Sequence, residues 1–181
     1  MTSEGKKWPE PDATPMQEAP GTIRLAGVVS GDSIVDGEGL RAVIFTQGCR
    51  RHCPGCQNPE TWEEDAGIVV TIDEVKDRLR GMRGQAGVTF SGGEPMLQAK
   101  ALLEIAKWCK QELGWSVWSF TGYTYETLKK LKDEKWELVK ELDVLIDGPY
   151  VQSQRDLTVR FRGSRNQRLL RLKKGEIESI E

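Results

Sequence analysis

Three of the four cysteines in this 181-residue chain lie within eight residues. Cys49, Cys53 and Cys56 follow the spacing C-x3-C-x2-C in the stretch GCRRHCPGCQN. Thiolates so close together in a chain that opens on a polar segment, with no secretory signal, read as metal binding or redox chemistry in the cytoplasm rather than as a disulfide framework. On a regular helix the three would fall at i, i+4 and i+7, but Pro54-Gly55 favours a turn, so the expectation is a loop wrapped around a compact object. A structural zinc takes four ligands. Cys109 and His52 are the candidates for a fourth. Cys109 falls on an apolar helix stripe with Leu102 and Ile105, which suits a buried, inert thiol. His52 could complete a Cys3His zinc site, although its adjacency to Cys53 makes joint tetrahedral ligation awkward. The other option is a 4Fe–4S cluster held by three cysteines, leaving one iron open to a small molecule. An open coordination position turns a metal centre from a staple into a catalyst.

A second motif, VTFSGGEP (88–95), reads as a strand, two glycines, Glu94 and then Pro95 at a first helical position. By itself it could be a tight strand–helix turn. Elements to position both motifs follow from periodicity. Thr22–Val29, Ala42–Thr46, Val88–Phe90, Ser116–Phe120 and Asp143–Asp147 read as strands, with shorter ones around Thr158–Phe161 and Arg168–Leu172. Ile72, Val75, Leu79 and Met82 lie at helical spacing behind a Thr71/Glu74 capping box. Leu102, Ile105, Ala106 and Cys109 mark a second helix, stopped by Gly114, and a third begins near Tyr125. Strands alternating with helices imply an α/β fold with parallel pairing. The units are too few for an eight-fold barrel of ~250 residues, so an open, partial (β/α) barrel is expected, with ligands at the C-terminal ends of its strands.

Composition sets limits. Charged residues make up 30% and apolar residues 38% of the chain, and the net charge is −2. That balance gives no general signal for nucleic acid, and no apolar run approaches the roughly 18 residues of a membrane span. Residues 1–20 hold four of the eight prolines and read as a flexible tail, with the folded domain over 21–181. Residues 155–174 carry six arginines and two lysines against Asp156. This reads either as the solvated surface of a terminal hairpin or as a patch for an anionic ligand or partner.

Taken together, C-x3-C-x2-C and the downstream Gly-Gly-Glu resemble the radical S-adenosylmethionine (SAM) superfamily. The stretches VDGEGLRAVIFTQGC, CPGCQNPETW, FTGYTYE, DVLIDGPYV and RGSRNQR narrow the resemblance to the glycyl-radical-enzyme activases, most of all those serving anaerobic ribonucleoside-triphosphate reductases. It covers Gly21 to about Leu172. It implies a shortened radical SAM fold, one 4Fe–4S cluster on Cys49, Cys53 and Cys56, and SAM on the fourth iron. Reductive SAM cleavage would give a 5′-deoxyadenosyl radical that abstracts a glycine Cα hydrogen from the large reductase subunit. Such an oxidoreductase needs an external one-electron donor, such as flavodoxin or a thioredoxin-type system, and no acid–base dyad. The resemblance places Gly55, Gln57, Gly92 and Gly93 beside SAM, Glu94 at its amino group and Asp147 near the site, where a strand-ending turn is the alternative for Asp147. Related activases often carry His after the third cysteine; here it is Gln57. Gly37-Glu38-Gly39 would shape the entry of the partner's glycine or make a plain turn. Arg162, Ser164, Asn166 and Arg168 would contact SAM or the reductase, or stabilise the last hairpin. Trp62 and Trp118 are expected in the core. The alternatives are a pyruvate formate-lyase-type activase, a 7-carboxy-7-deazaguanine synthase-like enzyme, and a non-catalytic zinc or iron–sulfur module.

Overall fold

The computed structural model describes residues 10–181. It is a mixed α/β fold built on one nine-stranded sheet with four α-helices. The strands are β1 (Thr22–Leu25), β2 (Ser30–Ser33), β3 (Arg41–Thr46), β4 (Ile68–Thr71), β5 (Gly87–Gly92), β6 (Ser116–Phe120), β7 (Val144–Asp147), β8 (Arg168–Lys173) and β9 (Glu176–Ile180). The helices are α1 (Ile72–Arg80), α2 (Ala99–Trp108), α3 (Tyr125–Leu131) and α4 (Glu134–Glu141). The sheet runs β4-β1-β3-β5-β6-β7-β8-β9, and β2 pairs with β3.

The centre, β3-β5-β6-β7, is parallel, as strand–helix alternation requires. Antiparallel pairs flank it on both sides. The sheet stays open, with β4 and β9 at its two ends. Because side chains alternate along a strand, Val88, Phe90, Val117 and Leu145 turn to one face and pack with Leu102, Ile105, Leu128 and Leu138 of the helices. Trp118, Val144, Ile146 and Leu169 form a smaller cluster on the other face.

Several local expectations stand and several change. Thr71 caps α1 with a complete capping box to Glu74, and Gly114 ends the second helical segment in the left-handed region at φ 65°. The strand read over Thr22–Val29 stops at Leu25, and the chain then re-pairs as the short β2. The helix after Tyr125 is two helices, because Lys132 goes left-handed and Asp133 caps a new start. Thr158–Phe161 is not a strand. Phe161 has φ 58° and places its ring edge-on against Trp118, so side-chain packing overrides the β-prone composition.

Of the stretch read as a tail, residues 1–9 lie outside the described residues. Residues 10–19 form no helix or strand, yet they are tied down. The Met16 N–H donates to the Leu97 carbonyl at 2.9 Å. Glu18 pairs with Arg24 at 2.6 Å, and Ala13 packs on the main core. Gly21 therefore marks where the sheet begins, while packing begins earlier.

At the N-terminal end of the parallel strands, Arg41 is 1% exposed. Its guanidinium donates to Thr89 Oγ1 (2.7 Å), Ser116 Oγ (2.9 Å) and the carbonyls of Val88 (2.8 Å), Ser116 (3.0 Å) and Glu38 (3.2 Å). It also lies 5.0 Å from the Trp118 ring centroid. Burial lowers its pKa to about 10, which leaves it charged at neutral pH. One side chain thus stitches β3, β5, β6 and the Gly37–Gly39 loop. Arg41→Leu strands these acceptors and is expected to cost about 3 kcal/mol or more, read as a lower denaturation midpoint with an unchanged slope.

Candidate functional site

β3 ends at Thr46, and the chain passes directly into the cysteine loop at the C-terminal end of the parallel strands. The loop is irregular, as Pro54-Gly55 predicts. The Cys56 N–H closes a turn on the Cys53 carbonyl at 3.0 Å, and Gly55 takes φ 75°. Its base is stapled by Gly48 N–H to the Thr61 carbonyl (2.8 Å) and Cys49 N–H to the Trp62 carbonyl (3.0 Å). Arg50 makes a two-pronged pair with Glu64 (2.5 and 2.8 Å) and donates to the carbonyls of Asp12 (3.2 Å) and Thr14 (2.7 Å). The segment from residue 10 onward therefore lies across this loop.

All three thiols are free and partly exposed. The Asn58 N–H donates to Cys56 Sγ at 3.4 Å, and the nearby backbone N–H groups of Arg51 and His52 at Cys49 and of Tyr150 at Cys53 pull those thiols' pKa down against their burial. Such donors stabilise thiolates and tune iron–sulfur centres, so the donor set fits a cluster. Among the described residues, no three His, Cys, Asp or Glu side chains converge on a single ion; a four-iron cluster takes one thiolate per iron. A cavity of about 440 Å³ adjoins Cys49, lined also by His52, Trp62 and the acidic run Glu63–Asp65. His52 is exposed and stacks on Trp62, with centroids 4.5 Å apart. Trp62 is accordingly half-buried beside the loop, not a core residue, whereas Trp118 is in the core at 3% exposure. Cys109 is fully buried, and burial pushes its thiol up to about 12.

The Gly-Gly-Glu turn is joined to the root of the cysteine loop by backbone hydrogen bonds. Gly93 N–H donates to the Thr46 carbonyl and Glu94 N–H to the Gly48 carbonyl, both at 2.8 Å. Gly92 sits at φ 97°, and a Cβ there would fall 2.5 Å from the Thr46 backbone. A Cβ on Gly93 would fall 2.3 Å from the Gly48 carbonyl oxygen. Both glycines are thus required by close approach, and Gly92 by torsion as well. Glu94, 4% exposed, caps the short helical turn Pro95–Gln98 through the Met96 N–H at 3.0 Å. It also accepts from Thr121 Oγ1 (2.8 Å) and Gly122 N–H (2.7 Å). Burial raises its pKa against these donors.

The remaining predicted residues are placed as follows. Gly55 packs against Gln152, and Gln57 is exposed. Asp147 is 1% exposed and accepts from Arg168 (2.5 and 3.0 Å) and from the Tyr125 N–H at the start of α3 (2.7 Å). Arg168 also pairs with Glu126 at 2.8 Å, and its pKa is driven up, chiefly by Asp147. Arg162 donates to the Glu181 carbonyl (2.7 Å), Ser164 Oγ accepts the Val151 N–H (3.1 Å), and Asn166 donates to the Pro149 carbonyl (2.8 Å). Sequence reasoning assigned no role to Thr121, Gly122 or the Tyr150 N–H. The signal for the first two was available, since Thr-Gly immediately follows a parallel strand.

A family model for a 4Fe–4S single cluster domain matches residues 35–170. The anaerobic ribonucleoside-triphosphate reductase-activating protein of Haemophilus influenzae is 34% identical over 147 residues, spanning 77% of this chain and 93% of the relative. The chain belongs to this family of activating proteins. The Vibrio cholerae protein of the same name is 37% identical, covering 74% of this chain and 89% of its own. A pyruvate formate-lyase-activating enzyme from Clostridium pasteurianum is 35% identical over 73% of this chain and 55% of its own length. In this activating protein no described helix is long and apolar enough to cross a membrane.

Two outcomes follow for the site. Burial, reinforced by Glu94, lifts the Cys49 thiol from 9.0 to about 11. Because folding raises this pKa, the cluster-free fold is most stable with Cys49 protonated, below pH 9, and loses that contribution as the pH rises through about 11. At pH 8, Cys49 of the cluster-free protein should react with iodoacetamide on the order of 100-fold more slowly than an unperturbed thiol, as peptide mass spectrometry would record. Gly93→Ala should cost roughly 2 kcal/mol or more by forcing the turn off Gly48, seen in the unfolding midpoint.

Proposed function

We propose that this activating protein is a radical SAM enzyme that generates the glycyl radical of an anaerobic ribonucleoside-triphosphate reductase. The observation that carries the reading is the backbone junction between the cysteine loop and the Gly-Gly-Glu turn. It sets three thiols and a buried carboxylate at one end of four parallel strands, on what we take as a shortened open (β/α) barrel. Cys49, Cys53 and Cys56 would hold a 4Fe–4S cluster, and Gly92, Gly93 and Glu94 would bind SAM, with Gly55 and Gln57 at its border. When bound, the reduced cluster and SAM supply the radical chemistry that removes a glycine Cα hydrogen from the partner.

The chain's own part is placement. The N–H groups on the sulfurs hold the thiolates, and the glycines let the backbone approach the cofactor. Glu94 offers a buried negative charge to the SAM ammonium, where low polarity strengthens the attraction. Asp147 would act at one remove, by fixing the strand end against Arg168 and α3. The names of the relatives point to the large reductase subunit as protein substrate. The reaction takes an electron from outside, for which a flavodoxin or thioredoxin-type donor in the cytoplasm is suited.

The test is anaerobic reconstitution, reduction, and incubation with SAM and the reductase. We expect about four irons and four sulfides per chain, SAM cleavage, and a glycyl doublet in the electron paramagnetic resonance spectrum. Replacing any of the three cysteines should abolish all three signals. Zinc without sulfide would end the reading. SAM cleavage with a glycyl signal only on pyruvate formate-lyase would move the assignment to that partner.

A further inference from the structure

We infer that Thr121, with the Gly122 N–H beside it, is a positioning residue that aims the Glu94 carboxylate at the amino group of SAM. This rests on the reading of Glu94 given above and extends it to a turn on a different strand.

Glu94 lies in the turn after β5, whereas Thr121 and Gly122 lie in the turn after β6. All three donors to the carboxylate are held by the fold. The Met96 N–H and the Thr121 hydroxyl share Oε1, and the Gly122 N–H takes Oε2. The direction of the hydroxyl is fixed, because Thr121 Oγ1 itself accepts the Tyr123 N–H at 3.1 Å, which leaves its proton for Glu94. The turn is anchored on β7 by Thr121 N–H to the Ile146 carbonyl and on the residue just after it by Gly148 N–H to the Tyr123 carbonyl, both 2.9 Å. Thr121 is 4% exposed, so water does not compete for the bond.

Space around the turn is equally constrained. A Cβ on Gly122 would lie 2.6 Å from Arg51 Nε and 3.3 Å from Glu94 Oε2. The cysteine loop, the Gly-Gly-Glu turn and the Thr-Gly turn therefore meet at one carboxylate. Three donors to two oxygens suit an acceptor-only, ionised group, the form that would hold an ammonium. Removing the hydroxyl leaves Oε1 held by the Met96 N–H alone, on Glu94's own turn, and takes out one charge-assisted bond, a class worth about 1.5–3 kcal/mol.

The test uses the full-length, cluster-loaded protein as wild type, Thr121→Val, Thr121→Ala and Thr121→Ser. SAM and its deaminated analogue are titrated by equilibrium dialysis. Thr121→Val is expected to weaken SAM about tenfold, to raise KM for reductive SAM cleavage with little change in kcat, and to bind the deaminated analogue as wild type does. Thr121→Ser restores SAM affinity. Should Thr121→Val fail to fold, Thr121→Ala gives the same comparison without the branched methyl. Equal losses for SAM and the analogue, or unchanged SAM affinity without the hydroxyl, overturn the inference while the radical SAM reading stands. Failure of the wild-type protein to bind SAM at all overturns both.

Discussion

The site depends on one close approach, that of the Gly92-Gly93 backbone to Thr46 and Gly48. Two hydrogen bonds of 2.8 Å join the end of β5 to the root of the cysteine loop, with no side chain between them. The parallel register Thr46↔Gly92 brings these segments level. Any side chain at either glycine would separate them by the width of a methyl group. The geometry of the thiols relative to Glu94 is therefore inherited from strand pairing, the most rigid part of the fold, rather than from the loop itself.

Much of this was legible in the sequence because it rests on short-range chemistry. Cysteine spacing, a Pro-Gly turn, a Thr71/Glu74 cap and an apolar helix stripe each act within a few residues. Strand alternation with helices was enough for the parallel centre. What escaped depended on contacts across tens of residues. IVVT at 68–71 became an edge strand by pairing with β1, and Thr158–Phe161 left strand geometry because Phe161 packs on Trp118. Glu94 is marked by its motif, whereas for its partner Thr121, 27 residues away, Thr-Gly after a strand marks only a turn at the right end of the sheet, not a hydroxyl aimed at another strand's carboxylate.

Part of the basic stretch 155–174 is neutralised within the fold. Arg168 is spent on Asp147 and Glu126, Arg171 on Glu38 and Glu181, and Arg162 on the Glu181 carbonyl. These pairs close β7, β8 and β9 onto the rest of the sheet. Arg41 follows the same logic at the N-terminal end of the parallel strands, where backbone carbonyls do the work of counter-charges.

The segment entering at residue 10 is gripped in part through its main chain. Arg50 and the Tyr123 hydroxyl take the Asp12 carbonyl, Arg50 takes that of Thr14, and Leu97 accepts the Met16 N–H. Any amino acid other than proline carries the same groups, and for the carbonyls proline does too. Part of the information that fixes the path of this segment is thus written in Arg50 and Tyr123, and the segment adds its own share through Ala13 on the core and Glu18 on Arg24. The family match, beginning at residue 35, leaves it out. A piece of chain can lie across a candidate metal site while much of the reason for its course is written elsewhere in the sequence.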